Sequence, residues 1–166
     1  PVNAAETATE PGESIRPWDI SRQRETLKQQ FRDKRGWPDL VGELADFIRL
    51  HGCGSYQGVP AFRLETASEE IRLMPVSDFA AFDLDWLEGN EKRIALLERN
   101  TRNLLDGFDA HNALIWGPRG CGKSSLIRGL VTRYYDAGLR AIEIEPQHWS
   151  CLRQLYAFVR DRREFF

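Results

Sequence analysis

Residues 112–125 read Asn-Ala-Leu-Ile-Trp-Gly-Pro-Arg-Gly-Cys-Gly-Lys-Ser-Ser, and this stretch decides the fold of the chain. Its first five residues are a compact apolar run of strand length, and apolar side chains then recur at helical spacing over 126–135. The turn between them, 117–124, fits the pattern Gly-x-x-x-x-Gly-Lys-Ser/Thr at every fixed position. Because a strand and an amphipathic helix flank the turn, as the pattern requires, we interpret it as a phosphate-binding loop.

The residue types of this loop suit a polyphosphate. Gly120 and Gly122 let the backbone wrap closely around a phosphate with its N–H groups pointing inward. The amides that follow lie at the N-terminus of a helix, which favours anions. Lys123 adds a positive charge for the β- and γ-phosphates and is assigned the catalytic role, while Ser124 offers a hydroxyl to Mg²⁺. The predicted binding residues are Gly117, Pro118, Arg119, Gly120, Cys121, Gly122, Lys123, Ser124 and Ser125.

The sequence around the loop predicts the rest of an α/β unit. A helix is expected over 91–105 and ends before Gly107, which favours a left-handed cap. After the loop and its helix, a second strand is expected over 139–144 and another helix over 148–160. The order strand, loop, helix, strand, helix is typical of a parallel α/β sheet with flanking helices.

The first half of the chain is predicted to be mainly helical. We expect a helix over 20–35 capped by Ser21, and a helix over 39–50 capped by Asp39 and ended by Gly52. A glycine-rich loop is expected over 51–58, and two short strands over 59–64 and 71–74. An extended linker follows over 75–86. Residues 1–13 are small, polar and acidic, which predicts disorder. The predicted domains are a disordered lead over 1–16, a helical region over 17–75 and half of a nucleotide-binding domain over 76–166.

Composition excludes several classes of protein. The chain has 166 residues, of which 42% are hydrophobic and 29% charged, unlike disordered chains or membrane spans. Its 23 basic and 25 acidic residues give a net charge of −2, so no general positive field attracts nucleic acid. Three widely spaced cysteines indicate reduced thiols rather than a disulfide framework. We expect a soluble, cytoplasmic protein with no membrane partner, and nucleic acid is not indicated as a partner.

Over 84–141 the chain resembles the AAA-type ATPases of a largely bacterial family named domain of unknown function 815. The matching positions are Leu97, Asn100 and Thr101, then 111–125, and then 138–140. The helical front half, with its glycine loop before 60–63, is similar too. Cys121 stands where the family usually has threonine, and Trp86 and Asn90 depart from the family's acidic entry motif.

The resemblance implies a P-loop NTPase fold of the AAA type, with ATP and Mg²⁺ as ligands and a homo-oligomeric ring as the assembly. It places 87–89 near the adenine. It also implies that the chain is truncated after the second strand and helix, because 163–166 is similar to the start of the family's next strand, which carries an Asp-Asp pair. Since hydrolysis needs such a carboxylate for Mg²⁺ and water, we expect ATP hydrolysis by the full-length protein and no activity from this chain alone. The alternating run at 141–145 is interpreted as a plain second strand rather than that catalytic strand.

Other functions stay open. A GTPase would need a guanine-reading Asn-Lys-x-Asp motif downstream, and a small-molecule kinase would need an arginine-bearing lid. A nucleotide-gated binding or scaffold module would bind ATP without significant turnover. Arg119 suits either a surface position or a contact between subunits, and no client protein is indicated.

The remaining signals favour structural roles. Arg24, Lys28 and Arg32 form a basic stripe, which we interpret as a solvated helix face rather than an RNA or phospholipid contact. His51 and Cys53 are two candidate ligands, too few for a zinc site. Cys121 lies among backbone amides at a helix N-terminus, and its sensitivity to peroxide is a hypothesis that rests on this position.

Overall fold

The computed structural model describes residues 16–33, 37–67, 70–89 and 91–160, and of Asp39 it describes only the backbone. Within these ranges the chain is a mixed α/β structure with five α-helices and one three-stranded sheet. The disorder expected for 1–13 and the chain end at 163–166 lie outside the described residues. In the described part of the chain, no helix combines the length and apolar character needed to cross a membrane.

The helices are α1, Ser21–Arg32; α2, Trp37–His51; α3, Glu91–Leu105; α4, Lys123–Tyr134; and α5, Leu152–Arg160. The predicted bounds of α3 are confirmed, and Gly107 follows with a φ of 75°. Two predicted caps are wrong. Ser21 is the first residue of α1 and donates its backbone N–H to Asp19 Oδ1 at 3.3 Å, and Asp39 lies inside α2. α4 begins at Lys123, within the loop, as expected. The helix expected over 148–160 begins later, at Leu152, because a 3₁₀ turn, Pro146–Cys151, precedes it.

The sheet contains β1, Ala61–Ala67, β2, Glu70–Pro75, and β3, Ala141–Glu143, in the order β2-β1-β3. β1 and β2 are antiparallel, with Leu64 opposite Leu73, whereas β1 and β3 are parallel, with Phe62 opposite Ile142. The expected parallel sheet is therefore replaced by a mixed one. The sheet therefore combines a hairpin from the first half of the chain, β1 and β2, with one strand from the second half, β3.

The segment 112–116, predicted as a strand, lies in no sheet of the described structure. The side chains of Leu114 and Trp116 in it are 88% and 84% exposed. This prediction is wrong because no described strand runs beside the segment to pair with its backbone. The segment is attached to α3 instead: the side-chain amide of Asn100 donates to the carbonyl of His111 at 2.7 Å and accepts from its N–H at 2.8 Å.

Two buried clusters form the core. The first joins the sheet to α5 and consists of Phe62, Leu64, Leu73 and Leu155. The second joins α3 and α4 to a 3₁₀ turn, Leu84–Trp86, and consists of Leu84, Ile94 and Leu130. Here Gly129 of α4 permits a close approach, since a Cβ at this position would lie 2.6 Å from Leu84 Cδ2. The second cluster therefore fixes the turn Leu84–Trp86 against the helix that follows the predicted phosphate-binding loop.

Candidate functional site

The candidate site is the turn 117–122 together with the first turn of α4. Gly120 and Gly122 both have a φ of 85°, in the left-handed region that residues with a Cβ rarely adopt. At Gly122 an added Cβ would also lie 3.1 Å from Leu87 Cδ2. The backbone itself therefore requires glycine at these two positions.

The N-terminus of α4 is open to an anion. Gly122 is the cap residue and provides no side-chain hydrogen bond, and the first turn of α4 contains no acidic side chain. The first helical bond runs from the N–H of Leu126 to the carbonyl of Gly122 at 2.8 Å. The preceding amides, 123–125, have no acceptor within the helix, and the helix dipole adds partial positive charge at the same end. This end of α4 can therefore donate several hydrogen bonds to a phosphate.

Lys123 lies half-buried over the turn. Its ammonium group donates to the carbonyl oxygens of Gly117 and Pro118 at 2.9 and 2.7 Å, and the Sγ atom of Cys121 lies 3.7 Å away. These acceptors are neutral or weak, so they leave the charge of the ammonium group uncompensated. An anion bound at the turn would meet both this cation and the free amides of α4.

The nine predicted loop residues lie on the turn 117–122 and the first turn of α4, and their side chains differ in solvent exposure. Ser124 is exposed at the second position of α4, and Arg119 is exposed at the tip of the turn. Cys121 is exposed as well, and Cys53 and Cys151 are, like Cys121, free thiols. The hydroxyl of Ser124 is therefore accessible beside the ammonium-bearing residue.

The segment that the resemblance placed near a base lies against this turn. Leu87, next to the turn Leu84–Trp86, packs against Gly122. Trp86 is 48% exposed and meets Phe82 edge to face at 5.7 Å. The backbone N–H of Gly89 donates to Glu91 Oε1 at 2.9 Å, which holds the segment at the start of α3. The apolar side chain of Leu87 thus borders the glycine turn on one side.

Sequence analysis missed an ion-pair cluster that connects α4 to the turn Leu84–Trp86 and to α3. Arg133 of α4 donates to Asp85 Oδ1 at 2.6 Å and to Glu98 Oε1 at 3.0 Å, and it lies 3.4 Å from Asp83 Oδ1. The bond to Asp85 is the main cause of the raised pKa of Arg133. The partners are 35 to 50 residues apart in sequence, so no local pattern could have revealed them.

Other predicted features are placed as follows. Glu143, in the acidic run 141–145, accepts from the Nε and Nη2 atoms of Arg63 at 3.1 and 2.9 Å, so β3 carries a carboxylate that is already paired. His51 is 3% exposed and Cys53 is exposed. Among the residues that the structure describes, no three His, Cys, Asp or Glu side chains are grouped to hold a metal ion.

On α1, Glu25 pairs with Lys28 at 3.5 Å and α1 contains no buried residue.

Comparison with known families identifies the chain. A family model described as protein of unknown function (DUF815) matches residues 57–166. Because the match covers more than half of the chain, the chain belongs to this family, as its resemblance predicted. No curated protein matches the chain, and no solved structure matches it.

Proposed function

Given that the chain belongs to the DUF815 family, we propose that its glycine turn and the N-terminus of α4 bind the triphosphate of ATP with Mg²⁺, as the nucleotide-binding part of an AAA-type ATPase. One observation carries the proposal: Gly122, with its φ of 85°, caps α4, and the ammonium group of Lys123, the first residue of α4, donates to the carbonyl oxygen of Gly117 in the same turn. Phosphate oxygens are strong acceptors, and both kinds of donor favour them.

Each residue then has a separate role. The ammonium group of Lys123 exchanges the carbonyl oxygens of Gly117 and Pro118 for oxygens of the β- and γ-phosphates. The exposed hydroxyl of Ser124 contributes one oxygen to Mg²⁺, which keeps several waters and contacts the phosphates as well. Leu87 provides the apolar contact for the base, because it already packs against the turn.

Binding is the step that the described residues support best. Hydrolysis needs a carboxylate that holds Mg²⁺ or orients water. Several carboxylates of the described structure are already paired with arginine side chains, among them Asp83, Asp85, Glu98 and Glu143. We therefore propose ATP binding as the activity of this chain, and the absence of turnover by it alone stays a prediction. The family resemblance also supports a homo-oligomeric assembly, which sedimentation with and without ATP would test.

Calorimetric titration with ATP in the presence of Mg²⁺ tests the proposal. Replacing Lys123 removes a charge-assisted hydrogen bond worth about 1.5–3 kcal/mol, so Lys123→Ala should weaken binding roughly 10- to 100-fold. The matched control is Lys92→Ala, since Lys92 is exposed on α3 and should leave binding unchanged. Equal affinity of the wild type and Lys123→Ala, or no binding by the wild type, would contradict the proposal.

Two further readouts separate the remaining functions. Competition between ATP and GTP distinguishes an adenine-binding site from that of a GTPase, because only the base differs between the two ligands. Phosphate release distinguishes an ATPase from a binding module, and we expect none above the Lys123→Ala background from this chain. Release at a rate that depends on Lys123 would show that a carboxylate of this chain supports hydrolysis after all.

A further inference from the structure

Beyond the end of α4, Tyr135 of the 3₁₀ turn Tyr135–Ala137 and Arg140 meet His51, the last residue of α2, in a buried cluster that we call the α2–α4 joint. Tyr135 is fully buried, and His51 and Arg140 are 3% and 8% exposed. The His51 and Tyr135 rings stack with centroids 5.9 Å apart, and His51 Nδ1 lies 3.5 Å from the Tyr135 hydroxyl. The guanidinium carbon of Arg140 lies 3.5 Å from the centroid of the same tyrosine ring.

The charge of Arg140 is held by neutral acceptors. Its guanidinium donates to the carbonyl oxygens of Tyr135 and Leu139 at 2.9 and 2.8 Å, and to that of Leu50 at 2.5 Å. Leu50 directly precedes His51, so a full positive charge lies beside the backbone of the histidine. Carbonyl oxygens and an aromatic face stabilise this cation without neutralising it.

A neutral His51 suits this environment and a protonated one does not. Its ring lies between Phe47, with centroids 4.8 Å apart, and Tyr135. Burial and then the positive charge of Arg140 lower the pKa of His51, and the negative charge of Asp136 opposes them only partly. Burial raises the pKa of Tyr135, so the tyrosine stays neutral and offers no countercharge. A proton on His51 would therefore place a second cation in a buried site already occupied by Arg140.

We propose that the α2–α4 joint is an acid-sensitive contact that holds α2 against the end of α4 while His51 is neutral and releases it when His51 is protonated. The joint lies at the end of the same helix that begins at Lys123, so its opening would free the N-terminal helices from the element that bears the glycine turn. Trp18, which meets Tyr135 edge to face at 5.9 Å, would be released with them.

The direction and size of the effect follow from proton linkage. A histidine with a lowered pKa in the closed state binds its proton more tightly in the open state, where the pKa is about 6.5. The joint is therefore most stable above pH 6.5 and weakens as the pH falls below this value. Between pH 7.5 and 5.5 the opening equilibrium can rise by up to about tenfold.

Hydrogen exchange of the wild-type chain measures this opening directly. After correction for the intrinsic effect of pH on exchange, we expect the protection of α2 to fall several-fold, and at most about tenfold, between pH 7.5 and 5.5. The protection of α3 should change much less. Unchanged protection of α2, or an equal loss in α3, would overturn the proposal.

A pair of variants and one spectroscopic measurement identify the titrating group. His51→Phe keeps an aromatic ring but cannot be protonated, so the pH dependence of α2 should disappear, whereas His111→Phe, at an exposed position, should retain it. If His51→Phe does not fold, the imidazole resonances of the wild type still decide. Titration of His51 below the ordinary pKa of a histidine side chain, about 6.5, supports the joint, and titration at or above that value overturns it.

Discussion

The first residue of α4 and the segment that follows the helix each hold a cation with main-chain carbonyl oxygens, and the consequences are opposite. At the glycine turn, Lys123 donates to two carbonyl oxygens and is half-buried. At the α2–α4 joint, Arg140 donates to three carbonyl oxygens, lies over an aromatic ring and is 8% exposed. Main-chain carbonyls thus serve as exchangeable partners at one end and as permanent partners at the other.

Solvent access explains the difference. Water can replace the ammonium group of Lys123 at the carbonyls of the turn, so breaking those bonds has a small net cost. At the joint, the same exchange would take the donor from the carbonyl oxygens of Leu50 and Leu139, whose bonds to Arg140 are partly buried. A buried polar group left unpaired costs about 1–3 kcal/mol. The open end therefore suits a ligand and the closed end suits a structural contact.

The largest expected effect separates the two cations. Arg140→Met should lower the free energy of unfolding by about 3 kcal/mol or more, because it takes the donor from the carbonyl oxygens of Leu50 and Leu139 and removes the contact with the Tyr135 ring. Lys123→Met should change it by less than about 1 kcal/mol, since solvent reaches the turn. Urea denaturation of both variants measures the contrast, and equal losses of stability would break the comparison.

A smaller effect is expected at the middle of α4. Gly129→Ala should destabilise the chain by about 1–2 kcal/mol, because overpacking against Leu84 outweighs the roughly 1 kcal/mol that alanine gains over glycine in a helix. Gly42→Ala is the matched control, since Gly42 lies exposed in α2 and an added Cβ there meets nothing within 4 Å. We expect it to stabilise by about 0.5–1 kcal/mol. Thermal or urea unfolding should give opposite signs, and stabilisation by both variants would show that Leu84 yields to the new methyl group.

The smallest effect concerns the carboxylates around Arg133. Glu98 is 14% exposed and accepts from both Arg133 and the Tyr134 hydroxyl, whereas Asp85 is 78% exposed. Glu98→Gln should therefore cost about 1–2 kcal/mol, and Asp85→Asn no more than about 0.5 kcal/mol. Unfolding measurements at low and high salt test the order, and a larger loss in Asp85→Asn would show that the contact to the Leu84–Trp86 turn dominates.

Local features of the fold could be predicted from the sequence. The bounds of α3 follow from apolar spacing and from Gly107, and the turn at Gly120 and Gly122 follows from a pattern in which glycine is needed for the backbone. Both features are determined by residues that are close in sequence, so a short stretch of sequence is enough to predict them. A local signal can still be assigned to the wrong residue: at the start of α1 the accepting oxygen belongs to Asp19 rather than to Ser21.

Features that depend on distant partners could not be predicted. The segment 112–116 has the composition of a buried strand, but its state depends on whether another strand lies beside it. The parallel pairing of Phe62 with Ile142 joins residues 80 apart in sequence. His51 has Cys53 as a neighbour in sequence, but in the structure it lies beside Tyr135, far along the chain. The glycine turn can be recognised from the sequence, whereas the α2–α4 joint is visible only in three dimensions.

The most direct test of nucleotide binding is an amide NMR titration of the wild-type chain with ATP and Mg²⁺. We expect the largest saturable shifts at the amides of residues 119–125, with smaller ones at 87–89 and almost none in β2. A titration that leaves these amides unchanged, or that moves amides elsewhere instead, would contradict the proposal that the glycine turn binds the triphosphate.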